Sequence, residues 1–159
     1  MRACIQRVSS ARVSLPDEEN RVAGQIEIGF LILLGVGGDD ELEDARYLAK
    51  KIAGLRVFED AEGKMNLNLD QVGGRALVVS QFTLFADCVK GNRPSFTEAA
   101  PPEKANALYR NFVENLIQNG VSVEEGVFRT NMRVSLCNEG PVTIWIDSKD
   151  RARGKKKSS

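Results

Sequence analysis

The 159-residue chain contains no histidine, and that absence excludes more chemistry than any residue type present supplies. Ser-His and Cys-His nucleophile pairs need an imidazole base, so neither can be assembled. The zinc-deaminase signature and the His-Glu-x-x-His metalloprotease helix fall for the same reason. Cysteine is scarce: Cys4, Cys88 and Cys137 are odd in number and lack Cys-x-x-Cys spacing, which argues against a disulfide framework and against a zinc knuckle. Buried strand thiols are the simpler account. Long apolar runs are missing as well. The longest stretch, Ile26 to Val36, is interrupted by Glu27 and Gly29 and is too short to cross a bilayer. At the amino terminus, Arg7 stands where a secretory leader needs its apolar centre, so a cytoplasmic protein is expected. No phosphate-binding Gly-x-x-x-x-Gly-Lys-Ser/Thr loop occurs. Gly35-Val36-Gly37-Gly38 lacks the lysine and reads as a strand-to-helix turn, leaving a nucleotide cofactor little support.

What is present is ordinary for a soluble domain: 42% hydrophobic and 28% charged residues. The length suits one domain with a real core. The zero net charge hides an asymmetry. From Asp147 onward six basic residues (Lys149, Arg151, Arg153, Lys155, Lys156, Lys157) face only Asp147 and Asp150, a net of +4, which leaves −4 on the rest of the chain. We therefore expect a domain over residues 1–147 and a basic, disordered tail over 148–159, suited either to nonspecific phosphate attraction or to solubility alone.

Periodicity predicts a strand over Arg2 to Leu15, a turn through Pro16 to Asn20 and a second strand over Gln25 to Gly35. Asp39 is the expected N-cap of a helix carrying Leu42, Ala45, Leu48, Ala49 and Ile52 and ending at Gly54. Short extended segments are expected at Leu55 to Glu59 and Met65 to Leu69. Pro101-Pro102 opens a second helix with Ala105, Leu108, Tyr109, Phe112, Leu116 and Ile117 on its apolar face, closed by Asn119-Gly120. Strands at Val121 to Val123, Val127 to Phe128, Met132 to Leu136 and Val142 to Asp147 complete the pattern. Two helices for about eight strands leave few crossovers, so the expected fold is α+β, with a mostly antiparallel, barrel-like sheet rather than parallel winding. The acid pairs Asp39-Asp40 and Glu124-Glu125 fall at element ends, where capping and solvation suffice to explain them.

Two segments break the strand pattern. In Leu77 to Pro94 (LVVSQFTLFADCVKGNRP) an apolar run stops being apolar where Ser80, Gln81 and Thr83 enter it. Such side chains are costly to bury unless neighbouring backbone or a ligand satisfies them. In Val134 to Ile146 (VSLCNEGPVTIWI) Gly140-Pro141 interrupts a strand, since proline cannot donate to the ladder. With SQFTL and N-x-G-P-V-T in this order, the chain resembles the D-aminoacyl-tRNA deacylases of the bacterial and eukaryotic type. The likeness also takes in Met1-Arg2-Ala3, Ile5-Gln6-Arg7-Val8, Gly54 to Leu69 and Arg93-Pro94-Ser95-Phe96, and ends near Ile146. One stretch departs from it: Phe128-Arg129-Thr130-Asn131-Met132 is bulky and polar where the family has mainly small residues before the methionine.

The resemblance implies hydrolysis of the ester of D-aminoacyl-tRNA to free amino acid and tRNA, a chirality proofreading activity needing no metal or organic cofactor. It places backbone oxyanion donors at Gln81 and Phe82, within the catalytic segment Ser80, Gln81, Phe82 and Thr83. The ester is already activated by its α-ammonium group, and the neighbouring ribose hydroxyl could orient or activate water, so the protein need only bind, align and stabilise. Thr83 has no base to take its proton, which favours a positioning or packing role. The resemblance further implies a homodimer with shared active sites. There a cis Gly140-Pro141 peptide projects its carbonyls into the partner's pocket and leaves no room for an L side chain, with Arg7 fixing the loop and Asn138 and Thr143 bracing it. Glycyl-tRNA, including glycine mischarged on tRNA-Ala, has nothing to clash and is an expected substrate too. Two other classes fit the same residues: an RNA-binding module that holds charged tRNA without turnover, and a structural dimer whose polar strand residues are satisfied internally.

Overall fold

The computed structural model describes residues 1–152. In chain order its elements are β1 (Arg2–Leu15), β2 (Arg21–Ile26), β3 (Gly29–Gly35), α1 (Leu42–Ala53), β4 (Phe58–Glu59), β5 (Met65–Leu67), β6 (Arg75–Ser80), α2 (Pro102–Gln118), β7 (Ser122–Glu125) and β8 (Arg133–Asp147), with short 3-10 turns at Pro16–Glu18, Phe82–Phe85 and Ser148–Asp150. The fold is α+β, as the sequence predicts. Among the described residues no helix is long and apolar enough to cross a membrane.

The long strand β1 is the spine of the sheet. One of its edges pairs antiparallel with β8 from Arg2 to Ser14. The other is shared by β3, opposite Arg2 to Val8, and β2, opposite Ala11 to Leu15. Beyond β3 the sheet continues with β6 and then β7, both parallel to their neighbours. Helix α2 is the crossover between β6 and β7, a βαβ unit that the strand-rich pattern did not predict. The sheet curls until β2 meets β7 and is nearly closed into a barrel. Gly24 permits that approach, because a Cβ there would lie 2.7 Å from the carbonyl oxygen of Glu125.

The unbroken apolar runs of β3 and β6 follow from burial on both faces. Phe30, Ile32, Leu34, Ala76 and Val78 join a core formed with α1 and α2, whereas Leu31, Leu77 and Val79 face the barrel interior with Val8, Ala11, Val13 and Ile26. Strand propensity alone thus gave the right runs but not their boundaries. The expected strand over Gln25 to Gly35 is two strands broken at Glu27-Ile28, and the expected strand at Val127 to Phe128 is a turn closed by the N–H of Thr130 on the carbonyl of Val127 at 3.4 Å.

Helix α1 is capped by Glu41, two residues after Asp39, with Glu41 and Asp44 in a reciprocal capping box, while the neighbouring Asp40 is buried and used elsewhere. On α2 the buried face runs through Leu108, Tyr109, Phe112, Val113 and Leu116; Ile117 lies off that stripe and is 56% exposed. Of the segment expected as a basic tail, Ser148 is buried and Arg151 Nη1 lies 3.1 Å from Asp44 Oδ1. Residues 153–159, with most of its lysines, lie outside the described residues.

Candidate functional site

Because β3 and β6 run parallel, their carboxyl ends arrive at the same edge of the sheet and the chain departs from both there. A cavity of about 690 Å³ opens at that edge. Val36, Val79, Ala99, Ala100 and Ala105 give it an apolar wall; Ser80, Gln81, Phe82 and Phe96 form one side, and Phe128 to Met132 with Val134 the other. In open parallel sheets ligands bind at the carboxyl ends of the strands, and the parallel β3–β6 pair offers an edge of the same kind within this barrel-like sheet. The wall is held by backbone bonds from the loop before α2: Ala100 donates to the carbonyl of Val36 at 2.9 Å, and Gly38 to that of Glu98 at 2.9 Å.

Ser80 is the last residue of β6 and half-buried, and its hydroxyl makes no hydrogen bond within the described residues. At Gln81 the backbone turns from strand to 3-10 helix. The Gln81 N–H is committed to the carbonyl of Leu34 at 2.8 Å. The next donor, the N–H of Phe82, opens the 3-10 turn, where helical geometry supplies no internal partner. Thr83 is exposed and does not line the cavity, and its Oγ1 accepts from Gln81 Nε2. Phe82 and Phe96 meet edge to face with ring centroids 5.1 Å apart, both substantially exposed at the rim. Beneath β6, Tyr109 donates to the carbonyl of Val78 at 3.1 Å. Burial, with the Glu125 carboxylate beside it, pushes that phenol far above its ordinary value, so it remains a donor. Burial likewise raises the Cys4 thiol, which disfavours the nucleophilic thiolate.

Gly140 and Pro141 lie elsewhere. Between the pairs Gln6–Thr143 and Val8–Asn138 the β1–β8 ladder skips four residues on β8, so Glu139 to Val142 loop out of the strand. The Gly140-Pro141 peptide is cis. Arg7 anchors the excursion from below, donating through Nε to the carbonyl of Glu139 at 2.8 Å and through Nη1 to that of Val57 at 2.6 Å. Asn138 spans its base: Oδ1 accepts from the Val142 N–H at 2.7 Å, and Nδ2 donates to Thr143 Oγ1 at 3.1 Å. Gly140, Pro141 and Arg7 do not line the cavity of their own chain. Along β8 the side chains of Leu136, Cys137, Thr143 and Trp145 are exposed, Trp145 at 52%, and β8 is an edge strand. A second cavity of about 580 Å³ lies on α1, bordered by Arg46, Lys50, Lys51 and Arg56. Among the described residues no group of three histidine, cysteine or acidic side chains is placed to hold a metal ion.

Comparison with known proteins gives this geometry its lineage. Residues 4–147 match the D-Tyr-tRNA(Tyr) deacylase family. The chain belongs to that family. It is 55% identical over 148 residues to the D-aminoacyl-tRNA deacylase of Thermotoga petrophila, covering 93% of this chain and 97% of that one. To the D-aminoacyl-tRNA deacylase of Neisseria meningitidis it is 56% identical over 149 residues, covering 93% and 91%. Among solved structures, that of the c-Myc DNA Unwinding Element Binding Protein superposes with a TM-score of 0.84 at 35% identity, over 92% of this chain and 98% of that one. Misplaced polarity in the sequence pointed to Ser80, Gln81 and Thr83, of which Ser80 and Gln81 line the cavity and Thr83 does not; Phe82 was implied by the family resemblance alone. Sequence reasoning missed the wall from Phe96 to Ala105, which only the crossover through α2 brings to the same edge.

Proposed function

We propose that this deacylase-family protein hydrolyses the ester of D-aminoacyl-tRNA, and of glycyl-tRNA, at a pocket shared between two copies of the chain. The observation that carries the reading is the pairing of an unengaged Ser80 hydroxyl with the unengaged N–H of Phe82 at the rim of an otherwise apolar cavity. Such a pair suits a developing oxyanion and a substrate that arrives already activated. Since the Gln81 N–H is spent on Leu34, Phe82 supplies the backbone donor in this account. The ribose hydroxyl next to the ester aligns water, and the exposed Phe82–Phe96 pair offers an aromatic face to the terminal base. The cations along the second cavity suit the phosphates of the tRNA body.

Sharing of the pocket is supported by three features: an edge strand β8 that exposes Leu136 and Trp145, a loop anchored by Arg7 and Asn138, and a cavity that this loop of the same chain does not line. A two-fold interface would bring the Gly140-Pro141 carbonyls over the partner's Ser80. They would hold the α-ammonium group and exclude an L side chain by contact alone. Purified protein should therefore deacylate D-tyrosyl-tRNA and glycyl-tRNA and spare L-tyrosyl-tRNA. Equal rates on the two enantiomers would remove this reading, and binding without turnover would make the protein an RNA-binding module.

The same geometry sets the order of two defects. Thr83→Ala should keep kcat/KM within about threefold, because the side chain stands outside the cavity and lacks a base. Replacing the ribose hydroxyl beside the ester by hydrogen should lower kcat by about 100-fold or more. The reverse order, or an acyl-Thr83 adduct in mass spectra, would restore covalent catalysis.

A further inference from the structure

At the cavity rim one residue keeps a backbone conformation that its side chain makes unfavourable. Arg129 is the third residue of the Val127 to Thr130 turn and has φ of 58°. A positive φ at that position is suited to glycine, and it costs an arginine strain that must be outweighed elsewhere. The Arg129 side chain does not offset that cost within the described residues: it is exposed and makes no hydrogen bond or ion pair with any of them. It does line the cavity, beside Thr130 and Asn131 and across from Ser80 and Phe82. An unpaired guanidinium has thus been placed, at a conformational cost, at the mouth of the site.

Resting on the proposed deacylase reading, we infer that Arg129 binds the 5′-phosphate of the terminal nucleotide of the substrate and so sets how the aminoacylated end enters the pocket. With the ester carbonyl at Ser80 and Phe82 and the aminoacyl group against the apolar wall, the ribose must point to the mouth, because the rest of the tRNA stays outside. The first anion met along that path is the phosphate of the last nucleotide. Arg129 is the cation that lines the cavity mouth, and a guanidinium matches a phosphate in a bidentate fork. Asn131 adds a neutral donor to the same lip, whereas the Thr130 hydroxyl donates to the Phe128 carbonyl at 3.4 Å. Arg129 touches the substrate away from the reacting atoms, so it belongs to binding rather than to chemistry.

The test compares two minimal esters, D-tyrosyl-adenosine and the same compound carrying a 5′-phosphate, with wild-type protein, Arg129→Gly and Arg129→Lys. Wild type should favour the phosphorylated ester about tenfold through KM, with kcat alike for both. In Arg129→Gly that preference should disappear because the phosphorylated ester loses far more in KM than the unphosphorylated one, and the melting temperature should rise because the turn gains the residue its backbone favours. Arg129→Lys should retain part of the preference. On D-tyrosyl-tRNA the log-log salt slope of binding should drop by somewhat under one unit in Arg129→Gly. An unchanged preference in Arg129→Gly overturns the assignment while leaving the deacylase reading intact. A preference that instead follows an acidic D side chain, phosphate or none, overturns it in favour of side-chain recognition. If wild type hydrolyses neither ester nor D-tyrosyl-tRNA, it is the deacylase reading that fails.

Discussion

Asp40→Ala should be the most destabilising single substitution outside the apolar core, costing about 3 kcal/mol and lowering the melting temperature by about 6–12 °C. The Met1 ammonium group is fully buried, 2.6 Å from Asp40 Oδ1 and 2.5 Å from Ser148 Oγ. Removing the carboxylate strands that cation in the interior. Breaking a buried pair from one side costs about 3–5 kcal/mol in general, and the low end applies because Asp44 remains close enough to feel the ammonium charge. The loss should reach the site as well. Asp40 Oδ2 accepts from the Gly37 N–H at 2.5 Å, and Gly37 bridges to Ala99, so the pair braces the loop that forms the apolar cavity wall. Asp40→Asn keeps the acceptor for Gly37 and loses the charge, and should fall between wild type and alanine. Thermal and urea unfolding of the three proteins measure this directly; a cost below about 1 kcal/mol for Asp40→Ala would mean the cation finds water or another acid.

The same cluster gives a sign for acid unfolding. Burial alone would raise the Asp44 carboxyl, but the Glu41 N–H, the Ser148 hydroxyl, the Met1 ammonium group and the Arg151 guanidinium outweigh it and hold Asp44 below its ordinary value. A carboxylate depressed in the folded state stabilises the protein above its unfolded value of about 3.9. That contribution is lost as pH falls through the lower folded value.

None of this cluster was legible in the sequence, and the reason is instructive. Asp40 reads locally as half of a solvated acid pair at a helix start, and only closure of β1 against β8 brings Met1 and Ser148 to it. The elements with strong local signals, β1, α1, α2 and β6, were readable because their periodicity or their turn residues suffice. The continuous apolar runs of β3 and β6 announced burial on both faces without saying what covers each. In β8 the sequence reading saw two strands separated by Gly140-Pro141, whereas the structure has one strand that sheds four residues and resumes pairing with β1. Misplaced polarity located Ser80 and Gln81. It did not distinguish the Gln81 N–H, used in the sheet, from that of Phe82, since main-chain hydrogen bonds leave no trace in side-chain identity.

Gly140→Ala should abolish most activity while sparing the fold, and the reason is local crowding. Gly140 has φ of 138°, and a Cβ there would stand 2.8 Å from Val142 Cγ2, 3.0 Å from Arg7 Nη2 and 3.1 Å from the Val142 nitrogen. That nitrogen cannot yield easily, being held by Asn138 Oδ1 at 2.7 Å, and Arg7 is buried and bonded to two carbonyls. The loop must therefore move, taking the Glu139 carbonyl off Arg7. Because residues 139–141 are exposed, the excursion can shift without opening either core, so stability should drop by no more than about 2 kcal/mol. Activity on D-tyrosyl-tRNA should fall by about 10- to 100-fold, with weaker rejection of the L form, if these carbonyls line the partner's pocket. Mixing decides where they act. A Gly140→Ala chain combined with a Ser80→Phe chain forms, among its mixed dimers, one pocket in which both halves are wild type. Random pairing makes about half of all dimers mixed, so about a quarter of wild-type activity should return from two inactive preparations. Mixed dimers that demonstrably assemble and recover nothing would place each pocket within a single chain, and the loop would then have to exclude L substrates from a cavity it does not line.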